Sequence, residues 1–290
     1  MSHMKGGLVI LKDTLSGLPP SEQRLAQFII KNPEESILMT AMTLGEKSET
    51  SSAAVIRLCK SLGFSGFQEL KLRIAGDLQV DSVEGNRDIE RDEDFRNIVS
   101  KVNANTLQTL KETVDIMKFE QLEEAVRVLI HAKSIIFVGF GASNLAAQDA
   151  EQKFMRINKQ VNSYSDVHVA ATAIANKGPE DVIVGISFSG NTQEVTKLLE
   201  IAKENHCQTI SISKYGNSSI TNLADINLYI TAGNESTFRS GATASRIAQL
   251  HMIDILFMCY ASKEYDETIQ FLDRTRKTLD SFKGKRKKGV

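Results

Sequence analysis

Asp181-Val182-Ile183-Val184-Gly185-Ile186-Ser187-Phe188-Ser189-Gly190-Asn191-Thr192 is the stretch whose reading decides the fold. Its first half is an almost unbroken aliphatic and β-branched run, the pattern of a strand buried on both faces. Its second half is a turn of serine, glycine, asparagine and threonine. A helical pattern, Thr192–Glu204, follows at once. Strand, polar turn and helix make a βα unit, and similar units flank it. Candidate strands are Ser134–Gly139, Val161–Ser165, Asp181–Ser187, Gln208–Ser213 and Ile226–Thr231, with helical patterns such as Ala142–Ile157 between them. The C-terminal domain is therefore expected to be α/β, a five-stranded parallel sheet flanked by helices.

Upstream, residues 1–80 read as helices only, which predicts a separate α-helical N-terminal domain. Pro19-Pro20-Ser21-Glu22 opens one helix, and Asn32-Pro33 stops it. Leu44-Gly45-Glu46-Lys47-Ser48 reads as a short helix and Glu49-Thr50 as a tight corner. Ser51 caps a second helix, Ser52 to Leu62, and Gly63 ends it. Val55, Leu58, Cys59 and Leu62 share the inward face. Ser52, Ala53, Ala54, Arg57 and Lys60 lie toward the other face or the helix start. Two short helices crossing at such a corner make a helix-turn-helix. Its second helix offers its first residues to base edges in the DNA major groove. The expected DNA-contacting set is Ser51, Ser52, Ala53, Ala54, Arg57 and Lys60.

Composition bounds these readings. The 290 residues suffice for two domains, and the net charge of −1 gives no global pull toward nucleic acid. Residues 81–95 hold two Lys/Arg against seven Asp/Glu and read as an acidic linker. A connecting helix from about Asp92 to Met117 and another from Glu120 to Ile130 follow. Lys283-Gly284-Lys285-Arg286-Lys287-Lys288 reads as a solvated basic tail. The expected division is 5–80, 81–118, 119–270 and 271–290. Cys59, Cys207 and Cys259 are odd in number and widely spaced, which suits a reducing cytoplasm. No apolar run approaches the roughly 20 residues of a membrane span. No His/Asp/Glu spacing suggests a metal, and no cofactor is expected. Gly139-Phe140-Gly141-Ala142-Ser143 ends the first strand, but a dinucleotide fingerprint would need glycine where Asn144 stands.

The turn Ser187–Thr192 puts three hydroxyls and free backbone N–H groups at one helix start, with no lysine or arginine inside it. Neutral donors and a helix dipole suit a phosphate monoester.

Family resemblances sharpen both halves. Leu44 to Leu58 together with Cys59-Lys60-Ser61-Leu62-Gly63-Phe64-Ser65-Gly66-Phe67-Gln68-Glu69-Leu70-Lys71 resembles the helix-turn-helix of RpiR-family bacterial regulators. Glu49 departs from that pattern, standing where a small turn residue is usual, and its backbone is expected to need a positive φ. Gly-x-Gly-Ala-Ser and Ser-x-Ser-Gly-x-Thr, each after a strand, resemble a SIS (sugar isomerase) domain over about Leu122–Ala261. The resemblance implies a phosphosugar held by Ser143, Ser187, Ser189, Gly190, Asn191 and Thr192, with Glu235, Arg239 and Ser240 from a segment that closes over the sugar. It implies a cytoplasmic transcriptional regulator, expected to be a repressor of sugar or amino-sugar catabolism and not an enzyme. The chain is most similar to MurR-like regulators, which implies N-acetylmuramic acid 6-phosphate as effector. The expected partners are a palindromic operator and a second copy, in a homodimer or homotetramer. The alternative is a phosphosugar isomerase or etherase with an appended helical domain, using Glu151 or Glu235 as base. His168 and His251 are further candidate acids or ligands.

Overall fold

The computed structural model describes residues 5–78, 91–231 and 243–282. The helices are α1 Gly7–Thr14, α2 Pro20–Lys31, α3 Pro33–Leu38, α4 Ala41–Lys47, α5 Ser52–Ser61, α6 Phe67–Leu78, α7 Phe95–Asp115, α8 Phe119–His131, α9 Ala142–Met155, α10 Val167–Ile174, α11 Gln193–Glu204, α12 Ser219–Leu223, α13 Thr243–Lys263 and α14 Tyr265–Phe282. The strands are β1 Ser134–Val138, β2 Val161–Tyr164, β3 Asp181–Ile186, β4 Gln208–Lys214 and β5 Ile226–Ile230. No described helix is long and apolar enough to cross a membrane.

The chain forms two compact units. The first holds residues 1–117 with two later segments, 213–217 and 229–248. Its core is built from Leu11, Leu25, Ile29, Leu44, Leu58 and Leu70, all fully buried. Pro33 ends α2 but also opens α3, because a proline is tolerated in a helix's first turn. The corner between α4 and α5 is set by close contact. A β-carbon on Gly45 would stand 2.8 Å from the Ser51 and Ser52 backbone, so only glycine lets the two helices meet there. Thr50 N–H donates to the Gly45 carbonyl at 2.7 Å. Glu49 adopts φ 53°, as its position in the corner suggested, at a cost of about 1 kcal/mol. Ser65 and Glu69 make the start of α6, with Glu69 accepting from the Ser65 N–H and hydroxyl. Tyr215 completes this core from outside the N-terminal sequence, its hydroxyl donating to the Leu62 carbonyl at 2.7 Å.

The second unit holds residues 118–212, 218–228 and 249–290. Its sheet runs in the order β2-β1-β3-β4-β5. Strand β1 pairs parallel with both β2 and β3, and β3 pairs parallel with β4. The aliphatic runs of β1 and β3 are buried along their whole length, as helices on both faces require. At their first register pair, Ser134 and Asp181, the Ser134 hydroxyl donates to Asp181 Oδ1 at 2.6 Å. Lys177 Nζ donates to the Ser134 hydroxyl, and the Gly178 N–H donates to Asp181 Oδ2. Residues 271–282, placed in the basic tail by the sequence, are the second half of α14. Residues 283–290 lie outside the described residues.

Burial raises the Asp181 pKa, but the bonds from Ser134 and Gly178 and the Lys177 charge outweigh it and hold the carboxyl below its ordinary value. A depressed pKa stabilises the fold above the ordinary carboxylate range, and the gain is lost as pH falls through the depressed value. Asp181→Asn is expected to cost about 1–2 kcal/mol at pH 7. The deficit should shrink below about pH 4, as read by urea denaturation at a series of pH values.

Candidate functional site

In the strand order above, β1 and β3 are neighbours, and the chain leaves them toward opposite edges of the sheet. Such a switch point opens a crevice at the carboxyl ends of the two strands, where α/β proteins bind ligands. Both polar loops singled out in the sequence, 139–143 after β1 and 187–192 after β3, leave the sheet there. Val138 pairs with Gly185, so the loops begin side by side.

The first loop is shaped by close packing. A β-carbon on Gly139 would stand 2.8 Å from the Ser143 carbonyl oxygen. Gly141, at φ 58°, precedes α9, which has no side-chain cap. Ser143 sits in the first turn of α9, and Gln249 Nε2 of α13 donates to its hydroxyl at 2.9 Å.

The second loop is a closed set of hydroxyl bonds. Ser187, 2% exposed, has its N–H bonded to the Ile212 carbonyl, so it still belongs to the sheet. Its Oγ accepts from the Gly190 N–H at 3.2 Å and pairs with Thr192 Oγ1 at 2.7 Å. Ser189 Oγ accepts from the Asn191 N–H at 3.2 Å. Asn191 Oδ1 accepts from both the N–H and hydroxyl of Ser219, and the Ile220 N–H donates to the Gly190 carbonyl, which fastens the turn to α12. Thr192 precedes α11 without a side-chain cap, and Glu194 is the one acidic residue in that helix's first turn. Two uncapped helix starts and several neutral hydroxyls suit an oxyanion.

Of the remaining sugar-site candidates, Glu235, Arg239 and Ser240 lie outside the described residues. Glu151 Oε2 is occupied by the Ser163 hydroxyl at 2.6 Å. His168 is exposed in the first turn of α10, and His251 is half-buried on α13. Among the described residues no group of three or more His, Cys, Asp or Glu forms a metal cluster. Burial pushes the Cys59 thiol up to about 11, so it is inert at neutral pH.

In the helix-turn-helix, Ser51 caps α5 by accepting from the Ala54 N–H at 3.2 Å. Ser52, Ala53, Arg57 and Lys60 are exposed. Ala54 is not with them: it is 1% exposed, turned into the core one helical turn before Leu58. Its place in the DNA-contacting set is therefore corrected. Ile56 takes part in the outward surface instead, 43% exposed between Ser52 and Lys60 at four-residue spacing. The sequence reading passed over it because an isoleucine on an amphipathic helix is expected to face inward. The Ser52–Ile56–Lys60 stripe was the available signal.

The helix-turn-helix domain of the rpiR family matches residues 5–81, and the SIS domain matches residues 128–259. An uncharacterized HTH-type transcriptional regulator of Bacillus subtilis, YbbH, is 43% identical over 278 residues, 96% of this chain and 98% of that protein. The chain belongs to the rpiR family of HTH-type transcriptional regulators. A further family member, from Caldanaerobacter subterraneus, is 37% identical over 276 residues, 95% of this chain and 98% of its own length. Among solved structures, Vibrio vulnificus NanR complexed with ManNAc-6P shares the fold, at 22% identity, a TM-score of 0.60 and coverage of 95% of this chain and 98% of that one. The sugar isomerase domain of an RpiR transcription factor from Sphaerobacter thermophilus does so at 18% identity and a TM-score of 0.56, over 62% of this chain and 99% of that one. The chain is thus a DNA-binding regulator with a SIS domain, not an enzyme.

In this rpiR-family regulator Gly139→Ala is expected to displace the first turn of α9 and cost about 1–3 kcal/mol in urea denaturation. Gly178→Ala, whose β-carbon meets nothing within 4 Å, is the control and should be nearly neutral.

Proposed function

We propose that the chain is a cytoplasmic repressor of amino-sugar catabolism whose SIS domain senses an N-acetylated amino-sugar 6-phosphate. N-acetylmuramic acid 6-phosphate is the first choice of effector. The observation that carries this reading is the pair of hydroxyl-lined loops at the β1–β3 switch point, each opening an uncapped helix and neither containing a lysine or arginine. Such a site suits a phosphate monoester, because orientation and not net charge supplies the attraction. Ser189 and Thr192 grip the phosphate through their hydroxyls, and the Gly190 and Asn191 N–H groups exchange their bonds to Ser187 and Ser189 Oγ for it, with Ser187 acting from the buried floor of the turn. Ser143 serves the same ligand from the other loop. Glu235, Arg239 and Ser240 complete the sugar site. The structural neighbour NanR, complexed with ManNAc-6P, carries a ligand of the same chemical class.

At the other end, Ser51, Ser52, Ala53, Arg57 and Lys60 meet operator DNA, with Arg57 and Lys60 on phosphates or a guanine edge. Ile56 adds an apolar contact suited to a thymine methyl. A homodimer or homotetramer presents paired α5 helices to a palindromic operator. Sugar binding and DNA binding are linked reciprocally, by a coupling of about 1–3 kcal/mol.

Two measurements test the reading. A panel of sugar phosphates is scanned by thermal shift, and N-acetylmuramic acid 6-phosphate is expected to raise the melting temperature of the wild type. Thr192→Ala should weaken that ligand about tenfold while leaving operator binding in its absence intact. Flat melting curves across the panel would remove the sensing role. Operator binding should fall steeply with salt, and Arg57→Ala should weaken it with a shallower salt slope and unchanged sugar affinity.

A further inference from the structure

Gln249 is a polar side chain that the proposed ligand contacts leave unused. It lies in α13, 1% exposed, on a helix whose neighbouring residues Ala248, Met252, Ile253 and Leu256 are fully buried core. Burying an amide so deeply is costly unless it is bonded. Its Nε2 donates to the Ser143 hydroxyl at 2.9 Å, in the first turn of α9 and beside the β1–β3 crevice.

The polarity of that bond matters. A serine hydroxyl has one proton and two acceptor lone pairs. With an amide N–H on one lone pair, the Ser143 proton must point away from Gln249, so the hydroxyl has its donor free for the loop. A phosphate or a sugar oxygen placed at the loop then meets a donor already turned toward it. Loop 139–143, like 187–192, holds no cation, so each hydroxyl that faces the wrong way loses a bond no charge replaces.

We propose that Gln249 is a positioning residue, which fixes the Ser143 hydroxyl as a hydrogen-bond donor and so tunes the affinity and specificity of the sugar-phosphate site. The inference rests on the reading of that site given above. It assigns Gln249 no contact with the ligand; its effect passes through Ser143.

The test uses the full chain and calorimetric titration with N-acetylmuramic acid 6-phosphate and N-acetylmannosamine 6-phosphate. Gln249→Leu is expected to weaken the ligand that binds wild type by about tenfold or more. The same substitution in a Ser143→Ala background should add little, because the two residues act as one unit. Gln249→Glu gives a readout that packing alone does not move. A protonated glutamic acid still donates to Ser143, whereas an ionised one accepts from it and turns the proton away. The affinity of this variant relative to wild type should fall as pH rises from 5 to 8, whereas a packing role leaves the ratio flat. This pH ratio is measured within one folded protein, so it stands even where Gln249→Leu fails to fold. A flat ratio with lowered affinity, as lost packing alone would give, or full additivity of Gln249→Leu and Ser143→Ala, overturns the inference while the sensing function survives. Failure of the wild type to bind either sugar phosphate overturns both.

Discussion

The parallel pairing of β1 with β3 is the constraint on which the ligand-facing half of this protein depends. These strands are adjacent in the sheet but lie apart in the chain, with β2 and α9 and α10 between them. Their amino ends are locked by Ser134, Asp181 and Lys177, a small partly buried network in which each bond is charge-assisted or backbone-anchored. Their carboxyl ends release the two polar loops. Register fixed at one end therefore fixes loop placement at the other, since one residue of slip would turn every strand side chain to the opposite face. Hydroxyl groups can substitute for lysine or arginine only when they are aimed, and aim is what a locked pair of strands provides.

The helix-turn-helix rests on a different device. Gly45 removes a β-carbon so that α4 can approach the start of α5, and Glu49 accepts a left-handed backbone to turn the corner. The strain is local and small against the burial of Leu44, Leu58 and Leu62. The core that holds these helices is completed by Tyr215, from a segment at the end of β4, and by Tyr229, whose ring packs tilted against it. Burial of Tyr215 pushes its phenol up to about 12, in keeping with a neutral hydroxyl that donates to Leu62.

Much of this was legible in the chain. All five strands were placed to within a residue or two at their ends, most plainly β1 and β3, because a strand covered on both faces has no polar side to obscure it. Ser51, Glu49 and the α5 pattern gave the helix-turn-helix from capping and corner chemistry alone. Ala54 was assigned to the wrong face of α5, since alanine's size suits either environment, and Ile56 was passed over, since a recognition surface departs from the usual apolar-inward rule. The end of α14 was missed because its exposed, charge-rich sequence has the composition of a tail.

The sequence by itself determined the five strands, the Ser51 cap, the two polar loops and the family, because these follow from short-range spacing and side-chain chemistry. Only the tertiary structure decided that the loops are neighbours, since strand order is a long-range property that no local pattern encodes. The same holds for Gln249 and Ser143, 106 residues apart yet bonded, and for Tyr215 and Leu62, 153 apart. Such pairs form when packing brings buried polar groups together and the loss of water obliges each to find a partner.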